Sequence, residues 1–247
     1  MSEERRSVSI SGSGRLGGGE YQRVAISGSG RIDGDVTAEE LRISGSGRVS
    51  GRTEVGQIAI SGSGKFGGAV RVDEMRVSGS AKIEGPLDAK EFKSSGSFHA
   101  EGDVAAEYFK SSGSFRVGGD VEADIFKASG GFDIDGLLSA DKVEIHLGGR
   151  CAAREIGGER IHVERQRLGS LSSALLGGLA KVLTGGGVAE LRTTQIEGDE
   201  IHLESTIADV VRGSRVEIGP GCHIRSVEYA ETLKVHDDAV VKERKKS

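Results

Sequence analysis

The feature that most constrains this chain is a repeat of 17 residues that keeps its phase from residue 28 to residue 143. Glycine recurs at this spacing in two series: Gly28, Gly45, Gly62, Gly79, Gly96, Gly113, Gly130 and Gly34, Gly51, Gly68, Gly85, Gly102, Gly119, Gly136. Mostly apolar residues recur in three more: Leu41, Ile58, Met75, Phe92, Phe109, Phe126, Val143; Ile32, Val49, Phe66, Ile83, Ala100, Val117, Ile134; and Val36, Thr53, Val70, Leu87, Val104, Val121, Leu138. A fixed period of this kind is typical of a solenoid, in which each repeat stacks on the next. One elongated domain is therefore expected.

Each repeat has the pattern of short strands separated by corners. The unit at 43–59 reads ISGSGRVSGRTEVGQIA, in which three short stretches of alternating apolar and polar residues are divided by glycines. This pattern favours strands over helices. Three stretches per repeat predict one turn (rung) of a parallel β-helix with three faces, and the chain length allows about a dozen rungs of about 17 residues. The predicted fold class is all-β.

The composition fits a thin core and a soluble protein. Of the 247 residues 40 are glycine, 4% are aromatic and none is tryptophan, so aliphatic residues and a few Phe must fill the interior. The formal net charge of −5 gives no general attraction to nucleic acid. No apolar run resembles a secretory signal or is long enough to cross a bilayer. We therefore expect a cytoplasmic protein, and only two cysteines are consistent with a reducing compartment.

The late part of the chain contains an insertion. The segments RIHVE (160–164) and EIHLE (200–204) are 40 residues apart, which is one period plus 23. The predicted organisation is a short N-terminal tail at 1–7, rungs at 8–167, the insertion at 168–190, further rungs at 191–241 and a basic tail at 242–247. Helical spacing in the insertion predicts a short amphipathic helix that contacts a membrane or a partner, or packs on its own rod, through Leu168, Leu171, Leu175, Leu176, Leu179, Val182 and Leu183.

Residues with chemical potential are distributed along the chain and form no recognisable active site. His146, His162, His202 and His236 each follow an apolar residue and suggest an outward column, but no carboxylate or cysteine lies at ligand spacing beside them. The segment IGPGCHI (218–224) resembles one hexapeptide of the left-handed β-helix acyltransferases. Because the period here is 17 and a single hexapeptide is weak support, it does not make His223 a catalytic base. No catalytic residue, cofactor or metal ligand is predicted, and we expect the chain not to be an enzyme.

The SGS units and the segment VVRGSRVEIGPGCHIRSVEY (210–229) resemble the bactofilins, polymer-forming cytoskeletal proteins of bacteria. The likeness extends over nearly the whole chain and is closest to the longer bactofilin-like proteins of Gram-positive, spore-forming bacteria. It implies a right-handed β-helix of triangular cross-section that polymerises end to end, without nucleotide, into nonpolar filaments. It also implies roles in cell shape, wall-enzyme placement or motility. Many bactofilins carry an N-terminal membrane-targeting sequence, whereas here the first rung begins at Val8. Two alternatives follow: the chain does not attach to the membrane, or attachment has moved to the insertion, which would give a peripheral position at the inner face of the cell membrane.

The ends of the predicted solenoid are the expected polymer interfaces, because each presents an unpaired strand edge and a slice of the core. The N-terminal rung contributes Val8, Ile10 and Leu16, and the C-terminal rung contributes Val235, Val240 and Val241. The expected partner is another copy of the chain, with a paralogue, a membrane surface or a protein client as further candidates and no nucleic acid. The alternative is a monomeric adaptor that binds through 168–190, and an acyltransferase is a more remote one.

Overall fold

The computed structural model describes residues 6–166 and 189–247, and all regular structure in these ranges is β-strand. The strands form one parallel sheet that winds into a solenoid of about 13 turns. Their bounds are Ser7–Ile10 (β1), Ser13–Ile26 (β2), Ser29–Ile43 (β3), Ser46–Val49 (β4), Thr53–Ile60 (β5), Ser63–Phe66 (β6), Val70–Val77 (β7), Ser80–Ile83 (β8), Leu87–Ser94 (β9), Ser97–Ala100 (β10), Val104–Ser111 (β11), Ser114–Val117 (β12), Val121–Arg165 (β13), Glu190–Leu203 (β14), Thr206–Ile218 (β15), His223–Val235 (β16) and Val240–Lys246 (β17).

The strand register follows the sequence period and confirms the predicted parallel β-solenoid. Leu41 pairs with Ile58, Ile58 with Met75 and Met75 with Phe92, each step advancing by 17 residues. The column at Ile32 and the column at Val36 pair in the same way. Every residue of these columns from the second rung onward points inward and is buried. The repeat thus places equivalent side chains directly above one another along the whole core.

The core changes composition along its length while keeping its cross-section. In the early rungs Ile43 and Ile60 face Gly47 and Gly64, and in the later rungs Ser94 and Ser111 face Phe98 and Phe115. Val77 and Ala81 form the intermediate step. The later phenylalanines stack in two columns: the Phe109 and Phe126 rings are 5.0 Å apart and the Phe115 and Phe132 rings 5.1 Å apart. As the side chains of one column become smaller, those of the neighbouring column become larger, so the core stays closely packed.

Corners between strands depend on close backbone approach. A Cβ on Gly45 would lie 2.0 Å from the Gly28 carbonyl oxygen of the preceding rung, so no larger residue fits there. At another corner Asp120 Oδ1 accepts a hydrogen bond of 2.8 Å from the Leu137 backbone N–H, one rung later. Glycine and aspartate therefore determine how tightly successive rungs stack.

The solenoid continues in register across the predicted insertion. Ile161 in β13 pairs with Ile201 in β14, and His162 pairs with His202. The predicted helix itself lies outside the described residues. At the C-terminal end, β17 extends to Lys246 and pairs with β16 along its length, so most of the predicted basic tail at 242–247 is strand.

Candidate functional site

The N-terminal rung presents three apolar side chains at the ends of core columns. Val8 and Ile10 in β1 pair with the buried residues Val24 and Ile26 of the next rung. Leu16 in β2 pairs with Ile32, which is also buried. All three are partly buried and pack against the core on one side. The structure thus places the predicted residues Val8, Ile10 and Leu16 together at the N-terminal end of the rod, which is called its N-terminal face below.

Tyr21 is a feature of this end that sequence reasoning missed. It occupies the position that Ala38 and Val55 occupy in the next rungs, and it is only 1% exposed. Its hydroxyl donates a 2.8 Å hydrogen bond to the Gly17 carbonyl oxygen, which satisfies its polar group. The guanidinium of Arg6 lies 5.6 Å from the ring centre. The sequence signal that could have revealed it is the occurrence of Tyr21 in a column whose next members are the smaller residues Ala38 and Val55.

The three residues predicted at the C-terminal rung lie in two different environments. Val235 pairs with Ile218 and Val241 pairs with Ile224, so these two continue core columns and are partly buried. Val240 instead pairs with His223 on the outer surface and is 48% exposed. Alternate residues of a strand point to opposite faces, so only one of two adjacent valines can face the core. Val240 is therefore a surface residue and Val241 is the core residue.

One position at this end breaks the apolar pattern. Arg244 pairs with Val227, which is fully buried, and therefore stands at an inward-facing position of the last strand. Lys242, Lys245 and Lys246 lie in the same strand and are exposed. Thus the N-terminal face is apolar at its core positions, whereas the C-terminal face combines apolar residues with an arginine.

A shallow groove of about 940 Å³ runs along the side of the rod over a floor of small residues, including Ala106 and Ala123. Carboxylates of Glu107, Asp124 and Asp141 follow one another along it from rung to rung. They form no ion pair among the described residues. Because these groups are spread along the axis and do not converge, the groove does not resemble an active site.

Of the four histidines predicted to form an outward column, two stack on each other. The His162 and His202 rings have their centres 4.7 Å apart. His146 Nδ1 lies 2.7 Å from Glu164 Oε1, and His162 Nε2 lies 3.2 Å from Glu164 Oε2, whereas His236 lies beside Asp238. The hydrogen bond from His162, together with the charge of His146, lowers the pKa of Glu164. Within 6–166 and 189–247 no group of three or more His, Cys, Asp or Glu side chains is arranged to hold a metal ion.

Both thiols and His223 occupy positions set by the β-solenoid. Cys151 and Cys222 are fully buried, and burial raises the pKa of Cys151 to about 12 and that of Cys222 to about 11. His223 points outward and pairs with Val240. Among the described residues there is no helix long and apolar enough to span a bilayer. The predicted contact residues Leu168, Leu171, Leu175, Leu176, Leu179, Val182 and Leu183 lie outside the described residues.

One known protein family matches the N-terminal third of the chain. The family model described as "Bactofilin: Polymer-forming cytoskeletal" matches residues 3–88. Residues 3–88 are thus similar to the bactofilins. The match confirms, for this part of the chain, the resemblance drawn from the repeat, and the matched segment contains the N-terminal rung with Val8, Ile10 and Leu16. The rungs beyond residue 88 continue the same register.

Two curated proteins share parts of the sequence. The uncharacterized protein YhbF of Bacillus subtilis (strain 168) is 47% identical over 51 residues, which is 21% of this chain and 22% of that protein. The uncharacterized protein YhbE of the same organism is 45% identical over 92 residues, or 37% of this chain and 35% of that protein. The chain thus matches well under half of the length of either relative. No solved structure matches it.

Proposed function

We propose that this chain is a structural scaffold that self-assembles end to end into filaments without nucleotide or cofactor. In the cell these filaments would support cell shape, wall-enzyme placement or motility, as the resemblance to bactofilins implies. The observation that carries the proposal is the match of residues 3–88 to the bactofilin family, on a β-solenoid whose first rung presents three inward-facing apolar residues. The protein is proposed to act in the cytoplasm and to have no catalytic activity.

Two structural properties support assembly through the ends in preference to the sides. The long faces carry alternating charges, such as Arg71 with Asp88 at 3.0 Å, and among the described residues Val240 is the only large apolar side chain that is exposed. At the N-terminal rung the strand β1 pairs on one side with β2, and no strand among residues 6–166 and 189–247 is bonded to the backbone N–H and C=O groups of its other edge. A second rung stacked there would satisfy these groups and cover Val8, Ile10 and Leu16.

The test is negative-stain electron microscopy with light scattering on the purified full chain, without nucleotide. A single solenoid of 13 turns should measure about 60 Å at ~4.8 Å per turn. The proposal expects particles longer than one rod, with a mass above 25.8 kDa. Ile10→Lys should abolish the longer particles, because it places an ammonium group in the contact. Ser9→Lys is the matched control, since it adds the same charge at the neighbouring outward position.

Circular dichroism and urea unfolding of both variants will establish that the rods remain folded. Single rods of wild-type protein at every concentration would overturn the proposal. That result would favour the monomeric adaptor, and deletion of 168–190 followed by liposome and pull-down binding would then test the insertion. If Ile10→Lys and Ser9→Lys weaken assembly equally, the inward-facing residues of the N-terminal rung are not part of the interface.

A further inference from the structure

One long side of the solenoid changes from polar to apolar in its middle rungs. An outward column that begins with polar residues continues with apolar ones: Glu40, Gln57, Glu74, Glu91, Tyr108, Ile125. Phe109 and Phe126, one residue later, fill the core, so Tyr108 and Ile125 point outward, and both are partly exposed. Adjacent apolar residues at outward positions, an aromatic among them, are typical of an interface.

An acidic column lies on one side of Tyr108 and Ile125. Glu107 and Asp124 directly precede them in the chain, at the position where the pairing between successive rungs is interrupted. Both carboxylates are exposed, and neither forms an ion pair with another described residue. Their charges are therefore available to groups outside the chain.

A basic column lies on the other side. Lys93, Lys110 and Lys127 stack in register, two residues after the outward column. Lys127 pairs with Glu144 at 2.7 Å, whereas Lys110 is exposed and forms no ion pair within the described parts of the chain. Three residues of a strand span about 10 Å, so Lys110 cannot reach Glu107 of its own rung.

The order of the acidic, apolar and basic columns determines how a second copy fits. If that copy is turned by half a turn about an axis parallel to the rod, its acidic column faces the basic column of the first copy. Equivalent rungs then meet at the same height, and the apolar residues of the two copies lie together. If the second rod ran in the opposite direction, acids would face acids and lysines would face lysines, which repel. The columns are thus self-complementary for parallel rods.

The size of this contact determines where it can act. The three rungs of Lys93, Lys110 and Lys127 present about 14 Å by about 15 Å, or roughly 200 Å² per copy, against about 800 Å² per partner in a stable complex. Two isolated rods should therefore separate. In a filament the contact recurs once per rod, so successive contacts form at a high effective concentration and their strengths combine.

The neighbouring rungs do not oppose such a contact. On the same side of the rod Arg76 forms an ion pair with Glu74, and Lys142 forms one with Glu144. These charges are already neutralised within their own chain. A second rod can therefore lie along them without an unpaired charge being covered.

We propose that a lateral face formed by Glu107, Tyr108, Lys110, Asp124, Ile125 and Lys127 joins two filaments of this chain side by side, with their rods parallel. Glu107 and Asp124 of one copy meet Lys110 and Lys127 of the other, and the apolar side chains between them are covered. This inference rests on the proposed function, because filaments supply the repeated contacts. It adds an interface that is separate from the ends of the rods.

The test measures the width and length of full-length particles by negative-stain electron microscopy. Wild-type filaments should be two rods wide at about 20 mM salt and should separate at about 500 mM, because salt screens surface charges. Lys110→Glu and Glu107→Lys each place like charges opposite one another and should lower the paired fraction at least ~10-fold. The double variant exchanges the two signs and keeps the wild-type net charge, so it should pair again.

Arg48→Glu is the matched control for Lys110→Glu. It makes the same change of charge at an exposed position in β4, which pairs with β3 and β6 on another side of the rod. Pairing of its filaments should match the wild type. Circular dichroism of all variants will establish that the rods remain folded.

Width and length separate this inference from the proposed function. Long particles one rod wide at every salt concentration would overturn the lateral face and leave end-to-end assembly standing. Pairs that persist in both single variants, or a double variant that fails to pair, would also overturn it. A loss of pairing in Arg48→Glu as large as that in Lys110→Glu would show that net charge controls pairing and this face does not. Wild-type particles no longer than one rod would overturn the proposed function and the inference with it.

Discussion

The Ile60 side chain fills the space in the core that a side chain at position 64 would need, because a Cβ on Gly64 would lie 2.8 Å from Ile60 Cδ1. Gly47 and Ile43 have the same relationship, also at 2.8 Å. Further along the rod Val77 stands beside Ala81, and Ser94 beside Phe98, so the larger residue moves from one column to the other. Residue identity at one column is therefore coupled to identity at its neighbour.

Gly64→Ala should destabilise the protein by about 1–3 kcal/mol, because the added methyl group overpacks a site already filled by Ile60. Ile60→Val alone should cost about 0.5–1.5 kcal/mol through lost burial. The double variant reproduces the Val77 and Ala81 pair, and its cost should be smaller than the sum of the two. Urea unfolding of all four proteins measures this coupling. Additive costs would show that the two columns pack independently.

Ser111→Ala should raise the stability by up to about 1 kcal/mol. The Ser111 hydroxyl is 1% exposed and has no hydrogen-bond partner, so its removal relieves a burial penalty. The matched control is Ser112→Ala, because Ser112 is exposed and donates to the Ser94 carbonyl oxygen at 3.5 Å. Urea midpoints should rise for the first variant and stay or fall for the second. A fall for Ser111→Ala would show that its hydroxyl has a partner in solution.

Much of the fold could be predicted from the period. A strict spacing of 17 fixes which residues stack, and hydrophobic alternation fixes which of them face inward. The column from Leu41 to Phe126 and its neighbours were therefore accessible from sequence. The change from Gly64 to Phe98 in one column, with the change from Ile60 to Ser94 in its neighbour, was also accessible from sequence, because the total side-chain volume of a rung must stay roughly constant.

The late features were harder to predict, because local irregularities shift the phase. A register shift between Gly213 and Arg215 and the segment between β16 and β17 separate the last strand from the regular repeat, and the adjacent residues Val240 and Val241 do not reveal which faces the core. Arg244 lies 17 residues after Val227, so the period contained the signal. Its basic neighbours made the segment resemble a solvated tail.

Glu144→Gln should lower the stability at neutral pH by about 1 kcal/mol and have little effect near pH 2. Hydrogen bonds from Lys127 and Lys142, at 2.7 and 2.5 Å, lower the pKa of Glu144 from 4.5 to about 2. Because this pKa is lower in the folded chain than in the unfolded chain, the stabilisation is complete above about pH 4.5 and is lost as the pH falls through 2. Urea unfolding at several pH values measures the difference.

Glu122→Gln is the control for the pH series, since Glu122 is exposed and forms no ion pair among the described residues. The stability of the Glu122→Gln protein at neutral pH should be within about 0.5 kcal/mol of the wild type, as for most surface substitutions. A Glu144→Gln deficit that persists unchanged down to pH 2 would mean that the carboxylate charge is not its cause.

Both cysteines should resist thiol reagents in the native protein. Burial raises the pKa of Cys151 to about 12 and that of Cys222 to about 11, and each thiol donates to a backbone carbonyl oxygen at 3.3 Å. Since the thiolate is the reactive form, labelling at pH 8 should be at least ~100-fold slower in native protein than in urea. Cys151→Ala and Cys222→Ala, each leaving one thiol, allow the two rates to be measured separately with a chromogenic disulfide. Fast labelling of either thiol without denaturant would show that its rung opens locally while the rest of the solenoid stays folded.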